Sequence, residues 1–268
     1  MRVLSSTPPA LSIRQDRRLS ALEAIAVVAA GFGAGTINAL IGSGTLITFP
    51  VLLAVGYPPV VANVSNNIGL VPGAATSAWA YRPELEGSRP RLKRFSPATA
   101  SGAVVGAILL LALPASAFKA IVPVLIAISL ILIVFQPRIT AWVMARRRTH
   151  RPHGGPLLVL GIFGTGVYGG YFGAGQGILL FGLLASSLGG KLTHVNAIRA
   201  VLAGIANLVA AIVFLFIADV AWEAAALVAL GSTVGGFAGA GVGRRLPDAW
   251  LRAIIVVVGL AAIGQLLR

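Results

Sequence analysis

The chain contains no cysteine, which removes disulfides, thiolate metal sites and a cysteine nucleophile at once. Charge is scarce as well: 10% of the 268 residues are Asp, Glu, Lys or Arg, against about a quarter in an ordinary soluble domain. Acidic groups are rarest. The seven carboxylates are Asp16, Glu23, Glu84, Glu86, Asp219, Glu223 and Asp248, each in a loop or within a turn of an apolar segment's end. None forms a pair for general acid–base chemistry, a cluster with histidine for a metal, or a proton relay through a span. These absences argue against a membrane-embedded enzyme, and no cofactor motif is read.

What is present is hydrocarbon. With 57% hydrophobic residues and a mean hydropathy of +0.92, the chain could not cover a water-facing surface with polar groups. A bilayer is its natural solvent. The net charge of +14 does not point to nucleic acid, because the basic residues cluster in short segments between apolar runs. Arg82, Arg89, Arg91, Lys93 and Arg94 lie in one such segment, and Arg138, Arg146, Arg147, Arg148 and Arg151 in another. That is the pattern of cytoplasmic loops under the positive-inside rule. A nucleic-acid surface would need interleaved aromatics on a soluble domain. The N-terminal arginines Arg2, Arg14, Arg17 and Arg18 lead into an apolar run too long for a cleaved signal, so a retained first span is expected.

Hydropathy and helix breakers place apolar segments near 21–41, 44–56, 61–81, 96–113 and 117–136, then near 156–172, 175–189, 193–218, 221–243 and 249–267. Trp79, Tyr81, Trp142, Trp222 and Trp250 fall at segment ends, where aromatic belts sit. The two sets are copies. A shift of 131 residues lays Phe32, Gly33, Gly35, Gly42 and Gly44 on Phe163, Gly164, Gly166, Gly173 and Gly175, and gives 12 identities over residues 32–77. Further on, Leu113-Pro114 and Ala120-Ile121 match Leu246-Pro247 and Ala253-Ile254 at a shift of 133. An odd number of segments per copy puts the copies in opposite orientations if every segment crosses, the plan of many secondary transporters. The expectation is an all-α polytopic membrane protein of about ten helical segments in two inverted five-segment repeats. A basic N-terminal segment, 1–20, precedes repeat 21–136, a basic cytoplasmic linker 137–155, and repeat 156–268. Ten full crossings with 82–94, 137–155 and Arg244–Arg245 inside leave the N-terminus outside. A re-entrant 44–56 would reverse that.

Glycines punctuate matching places in the copies. Gly42-Ser43-Gly44-Thr45 precedes one short segment, and Gly173-Ala174-Gly175-Gln176 its twin. Such breaks expose backbone N–H groups at a helix start, which carries partial positive charge. Inside a membrane an anion is a good partner for them, whereas the plainer role of glycine is close helix packing. A polar opening to a long span follows each short segment: Asn63, Ser65, Asn66 and Asn67 in one copy, His194, Asn196 and Arg199 in the other. Asn196, Arg199, Ala203 and Asn207 share a helical face, and a charge this deep in a span is a candidate for function or for tying down carbonyls near a helix end. Arg199 has Ile68 as its counterpart, so its charge reads as serving a substrate. His194 reads as a cap or a structural hydrogen bond before a proton relay.

Together these residues resemble the TauE/SafE sulfite-exporter family, also called the toluene sulfonate uptake permease family, over essentially the whole chain from about residue 24. Its members carry a glycine-rich run followed by a proline in each half, then a small polar motif opening the next helix. Here these read Gly42-Ser43-Gly44-Thr45-Leu46 with Pro50 and Ala62-Asn63-Val64-Ser65-Asn66; the second copy has Gly173-Ala174-Gly175-Gln176-Gly177 with Phe181 at the proline's place. Thr45, Leu46 and Gln176 replace glycines, and Asn196 stands where threonine is usual. The resemblance implies transport of sulfite, an organosulfonate or a similar anion. The candidate binding residues are therefore Gly42, Ser43, Gly44, Thr45, Asn63, Ser65, Asn66, Asn67, Gly173, Gly175, Gln176, His194, Asn196 and Arg199, with no catalytic or metal role. The expected partners are a small anion and the lipid bilayer, and the expected place is the cell membrane, such as a bacterial inner membrane. The rival reading is a membrane scaffold that transports nothing, against which the polar face of 193–218 counts.

Overall fold

The structure is a computed structural model that describes residues 19–145, 155–188, 191–241 and 248–266. The N-terminal arginines and Asp16, Arg146–Arg148, Thr149, Arg151 and Arg244–Arg245 lie outside the described residues. Among those described there are ten α-helices and no strand. They are α1 (Ala21–Leu40), α2 (Thr45–Ala54), α3 (Pro59–Ala80), α4 (Arg89–Ala112), α5 (Ala115–Ala145), α6 (Pro156–Tyr171), α7 (Gln176–Ser187), α8 (Leu192–Ile217), α9 (Trp222–Gly241) and α10 (Asp248–Leu266). A 3-10 turn, Arg82–Leu85, links α3 to α4. α1, α4, α8 and residues Ala115–Trp142 of α5 are long and apolar enough to cross a membrane. Boundaries agree with the hydropathy reading except where helix continues past the apolar zone. α4 starts in the basic run and α5 runs on beyond 136, because helix formation needs hydrogen-bond continuity and not apolar side chains. The start of α1 is fixed by a capping box, Ser20 with Glu23.

The helices pair across the halves. α1 packs along α9 and α4 along α6; α3 lies against α9 and α8 against α4; α2 touches α10 and α7 touches α5. Each pairing turns into its mate when the halves are exchanged. The match extends to single residues. A Cβ on Gly102 would collide with the Phe163 carbonyl oxygen, and one on Gly235 with that of Phe32. Gly106 likewise faces the Val167 carbonyl, and Gly239 that of Thr36. These partners are related by the shifts of 131 and 133 found in the sequence. Bare backbone is what lets α1 and α9, or α4 and α6, lie in direct contact, the membrane form of helix association.

Direction follows from the ends. At one face the start of α8 meets the α3–α4 connection, where His194 Nδ1 bonds the Glu84 carbonyl at 2.8 Å. At the other, the Ala221 N–H before α9 donates to Ser65 Oγ in the second turn of α3 at 2.9 Å. α3 and α8 are therefore antiparallel. Leu19 N–H donates to the Glu223 carboxylate at 3.4 Å, so α1 also begins at this second face, where α3 begins. The pair α1–α2 thus enters and returns on one side, and α6–α7, with α6 parallel to α4, does so from the opposite side. α2 has 10 residues and α7 has 12, about 15 and 18 Å of helix against a hydrocarbon core of about 30 Å. α2 and α7 are therefore too short to cross by themselves, and each forms the returning arm of a hairpin with the helix before it. The starts of α1 and α3 lie at the same face, so a returning 44–56 does not reverse the face assignment, contrary to the expectation from the sequence, because α1 returns with it. Arg82, Arg89, Arg91, Lys93, Arg94 and Lys191 share the first face with Glu84 and Glu86; Glu23, Asp219 and Glu223, with Lys119, share the second.

Candidate functional site

The two hairpin tips touch. Gly42, with φ of 82°, and Gly173, with φ of 77°, turn the chain back after α1 and α6 in a backbone region that side chains rarely adopt. The Gly177 N–H in the first turn of α7 donates to the Gly42 carbonyl at 3.1 Å. Four helix ends, the C-termini of α1 and α6 and the N-termini of α2 and α7, are thereby gathered in the interior.

The C-terminal ends are each held by a long helix of the other half. Arg199 of α8 is 1% exposed. Its Nε donates to Asn196 Oδ1 at 2.8 Å, Nη1 and Nη2 each donate to the Asn38 carbonyl at 3.2 Å, and Nη2 donates to the Ala39 carbonyl at 2.9 Å. These are the last carbonyls of α1, where a cation is favoured. Four of the five guanidinium N–H groups are used in this way. On α3, the Asn63 amide donates to the carbonyl of Tyr171, the last residue of α6, at 3.0 Å. The same job is done once with a charge and once without.

At the N-terminal ends donors are left over. The Gly44 N–H is taken by Asn38 Oδ1 at 2.9 Å, and Leu46, Ile47, Gln176 and Ile178 close local turns. Among the described residues the N–H groups of Ser43, Thr45, Ala174 and Gly175 have no protein acceptor. The second break is held by its oxygen instead, since the Ala174 carbonyl accepts from Ser129 Oγ at 2.8 Å and from the Tyr168 hydroxyl. Between the tips lies a cavity lined by Asn38, Gly42, Thr45, Gly173, Gln176 and Arg199 from the breaks and their clamp. Ala74 and Ser77 of α3 and Ala200, Ala203, Gly204 and Asn207 of α8 complete it. It has room for about one water molecule, so the tips are closed on each other.

The structure thus brings together Gly42, Thr45, Gly173, Gln176 and Arg199 of the candidate residues. Gln176 also donates to the Thr165 carbonyl at 3.0 Å. Asn196 stands one layer back, orienting Arg199. The others do not line the cavity. Ser65 caps the α8–α9 connection. Asn66 donates to Thr45 Oγ1 at 3.4 Å and accepts from the Thr48 hydroxyl, so it braces the start of α2. Ser43, Gly44, Asn63, Asn67 and Gly175 belong to the breaks and the α3 face beside them. His194 is at the basic face, within 3.1 Å of both Ser88 Oγ and Arg91 Nη1, and links α8 to the loop before α4. Asn38 and Ser77 were not read from the sequence: each is a lone small polar residue in an apolar helix, and Asn38 acts on Arg199 through its carbonyl, which any residue has. Among the described residues Arg199 is the one buried charge, no group of His, Cys, Asp or Glu could hold a metal, and the carboxylates lie at helix ends and in connections.

Polar hairpin tips meeting inside a bundle of apolar helices belong to a membrane transporter. The chain belongs to the sulfite exporter TauE/SafE family, whose model matches residues 27–266. It is similar to a probable membrane transporter protein, ORF9, of a Sinorhizobium species, with 30% identity over 89% of this chain and 90% of the relative. A probable membrane transporter protein of Haemophilus influenzae is 25% identical over 88% of this chain and 91% of its own length. The probable membrane transporter protein YfcA of Escherichia coli K12 is 26% identical over 87% and 86%. No solved structure gives a significant match.

Proposed function

We propose that this transporter carries a small anion, a sulfur oxyanion or sulfonate, out of the cell across the cell membrane, driven by the membrane potential alone. One observation carries the reading. Two interior helix starts present N–H groups without acceptors, Thr45 among them, beside a cavity also lined by Arg199, which has one Nη1 hydrogen unused. Helix N-termini and a guanidinium both favour an anion. Arg199 has a double role here: it neutralises the negative end of α1, leaving the field of the α2 start uncancelled, and it offers one donor to the cargo. The positive-inside rule puts the face bearing Arg89, Arg91, Lys93 and Arg94 in the cytoplasm. Antiparallel α3 and α8 support an inverted repeat, in which exchanging the conformations of the halves would move access from one face to the other.

The absence of interior carboxylates among the described residues supports uncoupled movement. An inside-negative potential favours exit of a monoanion by about 2.3 kcal/mol per 100 mV, close to a fifty-fold gradient. Substrate class is tested by melting the purified protein with sulfite, sulfate, thiosulfate, taurine and sulfoacetate. At least one sulfur anion is expected to raise the melting temperature in a saturable way. If none does beyond the chloride salt of the same cation, the anion reading fails.

A further inference from the structure

The two C-terminal helix ends at the hairpin tips are treated unequally. At α1 the chain supplies a cation, Arg199. At α6 the residue equivalent to Arg199 is Ile68, and the clamp is the neutral Asn63 amide. Unpartnered oxygens lie on Asn63 and on its neighbours in the sequence and the first break instead. Asn63 spends its NH2 on the Tyr171 carbonyl, which fixes the amide's orientation and leaves Oδ1 buried with no hydrogen-bond partner. Asn67 Oδ1, one turn along the same face of α3, is also buried and unpartnered. So is the hydroxyl of Ser43, in the break beside Thr45, to which Asn66 of the same turn of α3 is bonded. Both asparagines and Ser43 are more than nine-tenths buried.

Acceptor oxygens beside a helix C-terminus repel an anion, so this place is not a second copy of the central cavity, whose lining none of the three joins. It has the chemistry that receives a hard monovalent cation: neutral oxygens and the negative end of an interrupted helix. A divalent ion would call for carboxylates, and none of the described ones is buried. We propose that Asn63, Asn67 and Ser43 hold an alkali cation, sodium or potassium, at the end of α6. It serves as the exchangeable counterpart of Arg199, a resident counter-charge and not a cargo.

The test is thermal melting of the purified full chain, without any added anion substrate, in sodium, potassium or N-methyl-D-glucamine chloride at equal ionic strength. Saturable stabilisation by sodium or potassium over N-methyl-D-glucamine is expected, and the two alkali arms identify the ion. Asn67→Leu should abolish the difference. Asn67→Asp should lower the cation concentration for half-maximal effect at least fivefold, so a folding defect in the first variant leaves the second decisive. Equal melting in all three salts, as water filling the site would give, overturns the proposal. So does an alkali effect unchanged in Asn67→Asp. Because no sulfur anion is present and chloride is the same in all three arms, either failure leaves the reading of the central cavity intact.

Discussion

At the scale of the residue, Arg199 shows why a buried charge has to be read with its partners. The sequence shows a positive charge deep in a span with an isoleucine at the equivalent place, which suggests a substrate. The structure adds that most of its donors hold the end of α1. Arg199→Gln is therefore expected to destabilise the protein by about 1–3 kcal/mol, the cost of leaving buried acceptors unpaired, as well as to stop transport. Arg199→Lys should recover part of the transport, since it keeps the charge, but not full stability, since it lacks the planar fork. Melting curves and uptake into proteoliposomes check both. A glutamine variant of wild-type stability and wild-type transport would remove Arg199 from both roles. His194 does not cap α8; it makes the structural hydrogen bond of the alternative reading, to the α3–α4 connection, and nothing in the sequence shows that distant partner. Asn38 was not legible, since nothing in a sequence marks a backbone carbonyl as an arginine's partner.

At the scale of the element, glycine decides where helices touch. The repeat in the sequence located the matched glycines but not their partners, because the contacts run from one half to the other. Gly102→Ala and Gly235→Ala should each lower the melting temperature in detergent, since each new methyl meets a carbonyl oxygen of the facing helix. Gly164→Ala should not, as its Cβ would enter open space and alanine is the better helix former by about 1 kcal/mol. Equal behaviour of the three variants would mean that the α1–α9 and α4–α6 contacts are not close. The shortness of α2 and α7 was plain from Gly42, Gly44, Gly173 and Gly175. Their return to the side of entry was not, because hydropathy counts apolar residues and carries no direction.

At the scale of the whole molecule, charge and topology can be checked together. The natural chain has no cysteine, so an introduced one is the only thiol. Glu86→Cys, on the connection before α4, should resist impermeant label in intact cells, and Ser116→Cys, at the start of α5, should react; both positions are exposed. The reverse pattern would invert the membrane orientation.

In the proposed mechanism an anion leaves through the meeting point of the hairpins with voltage as its only driving force. Proteoliposomes loaded with a transported anion, with sodium equal on both sides, can be given an interior-negative potential by a valinomycin–potassium gradient. The account requires faster efflux under that potential and no response to an imposed pH gradient, once the anion's own protonation is allowed for. Efflux that follows the pH gradient and ignores the voltage would contradict it.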